Sequence, residues 1–305
     1  MAKKARNRVL GRKSSSFTLV SAMLLMLKGN QFVRPRHCRI NVSRFSIASC
    51  CCICFLFINK VRIFCLHLFV QSSSQSAIFR NDGVGLGERG LQWTEVISWE
   101  PRATLYHNFL SKEECEYLIS LAKPYLAKSS VVDSNTGKSM DSSVRTSFGM
   151  FLNRGQDKVV RSIEKRIADF SFIPVEHGEG LQILRYELGQ KYEPHFDYFV
   201  DELNTKNGGN RMATLLMYLS DVEEGGETVF PNVKGNISAV PWWNELSACG
   251  KRGLSVKPKM GDAILFWSMK PDATLDPLSL HGACPVIKGT KWSCAKWMHV
   301  NEYKV

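Results

Sequence analysis

Leu181–Phe199 reads LQILRYELGQKYEPHFDYF. Two short apolar-rich runs, 181–187 and 192–199, flank Gly189, and each has the length and residue mix of a strand. On a strand, residues i and i+2 project to the same face, so His195 and Asp197 are expected side by side. Outward from this stretch the pattern repeats. Runs 212–219, 227–230, 254–256, 262–268, 281–286 and 291–300 are each short and bounded by Gly, Pro or Asn, with Gly208-Gly209 and Gly225-Gly226 as tight turns. Many short strands with turn signals between them predict a sandwich or jelly roll. Before them come two early strands (Trp93–Ile97 and Ala103–His107) and two amphipathic helices. The first, 111–123, opens with a capping box in Ser111 and Glu114 and ends near Pro124. The second, 157–170, has Val159, Val160, Ile163 and Ile167 on one face. The expected fold is mainly β with flanking helices, a double-stranded β-helix whose helices pack on its outer face.

With the H-x-D pair on an early strand, His281 in SLHGACPV is the best third ligand. Two histidines and one carboxylate form the facial ligand set of non-haem Fe(II) oxygenases, which leaves positions open for a cosubstrate and O2. Lys291 follows His281 by ten residues and could hold the far carboxylate of an organic acid that chelates the metal. Taken singly, each piece has an ordinary reading: a surface strand pair, a solvated lysine. The ordered combination is far more specific. His299 reads as structural, and His107 and His177 have no partner pattern.

From about Gly87 to Tyr303 the chain resembles the plant-type prolyl 4-hydroxylases, a family of Fe(II)- and 2-oxoglutarate-dependent dioxygenases. The matching stretches include HNFLSKEECEYLISLAKP, VRTSFGMFL, RYELGQKYEPHFDYF, NGGNRMATLLMYLSDVEEGGETVFP, MGDAILFWSM and LHGACPVIKGTKW. The resemblance implies iron ligands at His195, Asp197 and His281, and 2-oxoglutarate binding by Lys291 with Tyr186 and Thr228. It implies that Arg211 and Trp297 line the peptide or cosubstrate pocket. It implies hydroxylation of peptidyl proline at C4, coupled to decarboxylation of 2-oxoglutarate to succinate, with O2 as oxidant and ascorbate as accessory reductant. The implied partner is a proline-rich protein of the hydroxyproline-rich glycoprotein type, for which an aromatic groove with Tyr198, Trp243 and Trp267 as candidates would suit a polyproline II chain. Two other readings stay open: an oxygenase of the same class acting on another residue, such as lysine, and a catalytically silent jelly-roll binding module. Where relatives carry D-S-R-V-R-T, this chain has Ser143 in place of the first Arg, within a polar, turn-rich loop spanning 130–143.

Charge divides the chain. Of 40 Lys and Arg, 14 fall in residues 1–80, which contain no Asp or Glu; the remainder carries 26 basic and 28 acidic residues. The net charge of +12 therefore belongs to an N-terminal segment, and nucleic acid is excluded as a partner by the absence of any basic, aromatic-interleaved stripe in the globular part. Residues 1–80 read as a targeting or anchor segment, 81–100 as linker and approach to the domain, and 101–305 as the catalytic domain. The segment has a basic head (1–13), an apolar run (17–27) and a second interrupted run (47–70), neither run spanning a bilayer cleanly. The resemblance implies a single-pass type II membrane protein of the endoplasmic reticulum or Golgi, with the domain in the lumen. An organelle transit peptide, or non-native coding sequence at 28–75, fits the same residues. Asn41 and Asn236 head glycosylation sequons. Of ten cysteines, Cys115, Cys249, Cys284 and Cys294 lie in the domain, where paired and free thiols are both compatible with the sequence.

Overall fold

The computed structural model describes residues 85–132, 139–140, 143–234 and 236–305. The targeting segment, its apolar runs, its six cysteines and the sequon at Asn41 lie outside the described residues. In chain order the elements are β1 (Trp93–Trp99), β2 (Arg102–His107), α1 (Lys112–Ala122), β3 (Ala127–Lys128), β4 (Val131–Val132), β5 (Ser139–Met140), β6 (Phe148–Leu152) and α2 (Lys158–Ser171). There follow β7 (Leu181–Tyr186), β8 (Tyr192–His195), β9 (Arg211–Tyr218), β10 (Glu224–Gly225), β11 (Thr228–Phe230) and β12 (Leu254–Val256). The chain closes with β13 (Ala263–Trp267), β14 (His281–Ala283), β15 (Val286–Lys288) and β16 (Lys291–His299).

Two sheets make the body. The larger runs β1-β2-β13-β9-β16-β7-β6-β3 and the smaller β12-β11-β14-β8. The antiparallel partners are nested: β7 with β16, β8 with β14, β9 with β13, β11 with β12. Strands paired first with last, inward to a central hairpin, and dealt alternately to two sheets, define a double-stranded β-helix. The jelly roll expected from the turn spacing is therefore present.

Alternation along the strands explains the layers. On β13, Ala263 and Leu265 face the helices, while Ile264 and Phe266 face the smaller sheet with Tyr218, Phe230 and Val256. Cys115, Leu118 and Ala122 of α1, and Val160, Ile163 and Ile167 of α2, pack on the helix side of β7, β9 and β16. Each of these Leu, Val and Ile side chains contributes about 1.5–3 kcal/mol by leaving water. The predicted capping box is formed: Ser111 Oγ accepts from Glu114 N at 2.9 Å and Glu114 Oε2 accepts from Ser111 N at 3.0 Å. Glu114 also receives both Arg166 Nη atoms at 2.8 Å, which ties α1 to α2. Pro124 ends α1 as expected, because its ring opens a 3-10 turn over Lys123–Tyr125.

Some expectations need correction. The strand placed at 192–199 stops at His195, and Asp197 lies in the bend beyond it. The stretch 148–152, which had no strand assigned, is β6, paired to β7. Within the polar loop at 130–143, Val131–Val132 and Ser139–Met140 pair as β4 and β5; residues 133–138 and 141–142 are outside the described residues. Cys249 and Cys284 form a disulfide, whereas Cys115 and Cys294 are buried free thiols.

Candidate active site

His195 ends β8 and His281 begins β14, and the antiparallel register sets them directly opposite each other. The bend after β8 swings Asp197 back between them. Asp197 Oδ1 stands 3.7 Å from His195 Nε2 and Oδ2 3.5 Å from His281 Nε2. One donor atom from each residue lies within 4.8 Å of the others, the one such cluster among the described residues. The shared face predicted from i, i+2 spacing on a strand is thus produced by a strand end and a turn.

The surroundings prepare these groups to bind a cation. His195 Nδ1 lies 2.9 Å from Glu193 O and His281 Nδ1 2.9 Å from Ser279 O. A carbonyl oxygen can only accept, so each Nδ1 carries the proton and each Nε2 presents a lone pair towards Asp197. Thr214 Oγ1 on β9 donates to Asp197 Oδ2 at 2.6 Å. Burial and the adjacent His281 push the His195 imidazolium down to about 3. Burial alone would raise the Asp197 carboxyl, but His281 and His195 hold it down at about 2. At neutral pH His195 is a neutral imidazole and Asp197 a carboxylate, and with His281 they form a donor set that suits a divalent iron.

Lys291 opens β16 opposite Tyr186 of β7 and is 1% exposed. Among the described residues its one hydrogen bond runs from Nζ to Gly226 O at 2.7 Å. Gly225 and Gly226 make that contact possible: both have positive φ, and a Cβ at Gly225 would meet Pro285 O at 2.3 Å. Burial drives the Lys291 ammonium down to about 7, against the opposing pull of Glu227. The aromatic rings of Tyr186 and Tyr218 lie 5.4 and 5.7 Å from Nζ. Tyr218 Oη donates to Thr228 Oγ1 at 2.8 Å, which leaves the Thr228 hydroxyl proton for another acceptor. His195, Asp197, His281, Lys291, Tyr186, Thr228 and Trp297 all line one cavity. A buried ammonium with one acceptor, sharing a cavity with three groups that could hold a metal, fits a dicarboxylic acid bridging the two.

A wider groove leads off the cavity, and Trp297 and Arg145 line both. Arg211 borders the groove, with its guanidinium 4.1 Å from the Trp297 ring centroid. Tyr198 lines it too, but Trp243 and Trp267 do not: Trp267 lies beneath Arg102 at 4.4 Å. Arg145 went unrecognised in the sequence because it follows a polar, variable-looking run. It is buried, donates to Gln182 Oε1 at 2.8 Å, and covers the Tyr192 ring at 4.7 Å, while Tyr192 stacks on His195 at 3.6 Å. The D-S-S-V-R-T register offered its one signal. Thr214 offered none. His299, read as structural, bonds Glu179 Oε1 at 2.9 Å and takes no part in the metal cluster. His107, which showed no partner pattern, bonds Asp262 at 2.8 Å.

Residues 181–299 match the model of the 2OG-Fe(II) oxygenase superfamily. That span covers the nested strands and every candidate ligand described above. Among individual proteins, the chain is 77% identical over 221 residues to Probable prolyl 4-hydroxylase 3 of Arabidopsis thaliana, covering 72% of this chain and 77% of the relative. It is 59% identical to Probable prolyl 4-hydroxylase 10 of the same plant over the whole of both chains. A viral collagen prolyl hydroxylase from Paramecium Bursaria Chlorella virus-1, solved with 2OG, aligns at 31% identity and a TM-score of 0.46 over 62% of this chain and 91% of its own. At 59–77% identity to the two plant relatives, over most or all of their length, the chain belongs to the prolyl 4-hydroxylase family of 2OG-Fe(II) oxygenases.

Proposed function

We propose that this chain hydroxylates prolyl residues of a proline-rich peptide, with Fe(II) held by His195, Asp197 and His281 and 2-oxoglutarate held by Lys291. The observation that carries the reading is Lys291, buried with one acceptor in the cavity that the three ligands share. When bound, Fe(II) couples oxidative decarboxylation of 2-oxoglutarate to hydroxylation at C4 of proline. The chain's own residues bind and orient. Lys291 supplies a charge for the distal carboxylate, and Thr228 offers that carboxylate a hydroxyl proton. Tyr186, buried, closes the cavity beside them. Arg211 and Trp297 face the peptide, and the Trp297 indole N–H, buried without a partner among the described residues, awaits an acceptor. Ascorbate would serve as accessory reductant.

The Cys249–Cys284 disulfide supports placement in an oxidising compartment. Together with the basic head and apolar runs, it favours the lumen of the endoplasmic reticulum or Golgi, with residues 1–80 as membrane anchor.

Two measurements test the reading. Anaerobic addition of Fe(II) and then 2-oxoglutarate should give a visible charge-transfer band that His195→Ala, Asp197→Ala and His281→Ala each abolish. Mass spectrometry of a Ser-Pro-Pro-Pro repeat peptide incubated with the full system should show addition of oxygen to proline. A band without oxygen on proline, and oxygen found on a lysine-containing peptide instead, would transfer the activity to another residue.

A further inference from the structure

β16 carries an anomaly. Its helix-facing row reads Trp292, Cys294, Lys296, Met298, and three of these belong to the apolar core. Lys296 stands in the same row at 2% exposure, its Nζ bonded to Glu164 Oε1 of α2 at 2.7 Å. Glu164 is equally buried, and its other oxygen accepts Gly155 N at 2.8 Å. An ion pair sunk between helix and sheet gains little stability over apolar residues of the same volume, because both ions must be stripped of water. A role beyond cohesion is indicated, and the second partner of the ammonium shows where. Lys296 Nζ also donates to the backbone oxygen of Glu179.

Glu179 is held at its backbone N–H, its backbone oxygen and one carboxylate oxygen. Its N–H donates to Trp297 O at 3.0 Å, its C=O takes Lys296, and its carboxylate Oε1 receives Arg211 Nε at 2.6 Å and His299 Nε2 at 2.9 Å. Gly178 next to it leaves room for the lysine, since a Cβ there would meet Lys296 Cε at 2.3 Å. A continuous polar path therefore runs from α2 through the sheet to the peptide groove: Glu164, Lys296, Glu179, Arg211. The groove-side guanidinium is aimed by a carboxylate whose backbone is clamped from behind.

Resting on the reading that Arg211 faces the peptide, we propose that the buried Glu164–Lys296 pair is a positioning device for substrate binding, setting Arg211 through Glu179. It touches neither the peptide nor the cosubstrate. The prediction is specific: loss of the pair should weaken peptide binding and leave the metal and 2-oxoglutarate undisturbed.

The test is the full-length double variant Glu164→Leu/Lys296→Met, which removes both charges and keeps the volume. Its melting temperature, peptide KM and 2-oxoglutarate KM are measured beside those of wild type and Arg211→Ala, with a Ser-Pro-Pro-Pro repeat peptide as substrate. The expected result is a folded protein with unchanged 2-oxoglutarate KM and a peptide KM raised about tenfold, the scale of loss when a binding group is misplaced by a fraction of an ångström. Glu179→Gln should reproduce the defect, and the double variant should add little to Arg211→Ala, since both act on one group. If the double variant does not fold, Lys296→Arg keeps the charge and the pair but alters the reach to Glu179, and should raise the peptide KM alone. A normal peptide KM in whichever variant folds, with Arg211→Ala impaired, overturns the positioning role. A normal peptide KM in Arg211→Ala itself overturns the groove assignment on which it rests.

Discussion

At the scale of single residues, Lys291 separates a cosubstrate site from a bare metal site. Removing it would leave a carboxylate desolvated and unpaired, at a cost of roughly 3–5 kcal/mol. At about 1.4 kcal/mol per decade, the 2-oxoglutarate KM of Lys291→Ala should rise by roughly two to three and a half decades, with Fe(II) affinity unchanged. Lys291→Arg should be milder. The protonation of Lys291 adds a pH signature. In the cosubstrate-free protein it loses its proton near pH 7, below the ordinary lysine range, while the bound carboxylate requires the ammonium. Affinity for 2-oxoglutarate should thus be full below about 7 and fall up to tenfold per unit above it, a slope that Lys291→Arg abolishes. Thr214 is the second residue to test. It supports Asp197 from outside the ligand set, so Thr214→Val should lower Fe(II) affinity by about 10–100-fold, read by anaerobic titration. Of these two, Lys291 was legible from its spacing after His281. Thr214 was not, because a threonine on a strand gives no sign of which carboxylate the fold will bring to it.

Among the elements, what could be read depended on how local the determinant was. The Ser111–Glu114 box and the paired-glycine turns are decided within four residues, and they stand where expected. The nested strand pairs were legible only as a count of short runs, since pairing partners lie far apart in sequence. The end of β8 was misplaced because apolar Phe196 and Phe199 extend the strand pattern past the point where the backbone turns. The disulfide could not be read at all: Cys249 sits in a loop and Cys284 just after β14, 35 residues apart. It staples the 247–250 loop beside β14, where Ser247 N and Oγ also bond the buried Glu227 carboxylate at 2.6 and 2.9 Å. Cys249→Ser/Cys284→Ser should lose roughly 2–5 kcal/mol of stability in chemical denaturation. Its 2-oxoglutarate KM should rise as well, because Glu227 adjoins both Thr228 and the Gly226 carbonyl that holds Lys291.

For the whole molecule, the described residues contain no helix long and apolar enough to cross a membrane; the proposed anchor is the N-terminal segment. Two outcomes are expected of it. Removing residues 1–80 should release an active protein into the soluble fraction, and the full chain should float with microsomes. Asn236 is exposed, so endoglycosidase treatment of the full chain from plant cells should produce a mobility shift that Asn236→Gln eliminates. A cytosolic, unglycosylated chain would refute the lumenal reading while leaving the catalytic one untouched. The nested pairing has one more outcome, in the order of folding events. β7 begins the barrel at Leu181, yet its partner is β16, Lys291–His299, with the other barrel strands lying between them in sequence. β16 also pairs with β9, so two neighbours of the larger sheet wait for the same late strand. A partly synthesised chain can form α1, α2 and the hairpin of β11 and β12, but not the closed barrel. Contacts of such long range form slowly and leave apolar surface open meanwhile. A chain cut short before β16 should therefore leave the facing edges of β7 and β9 unpaired and aggregate rather than fold, a defect read as loss of the soluble fraction.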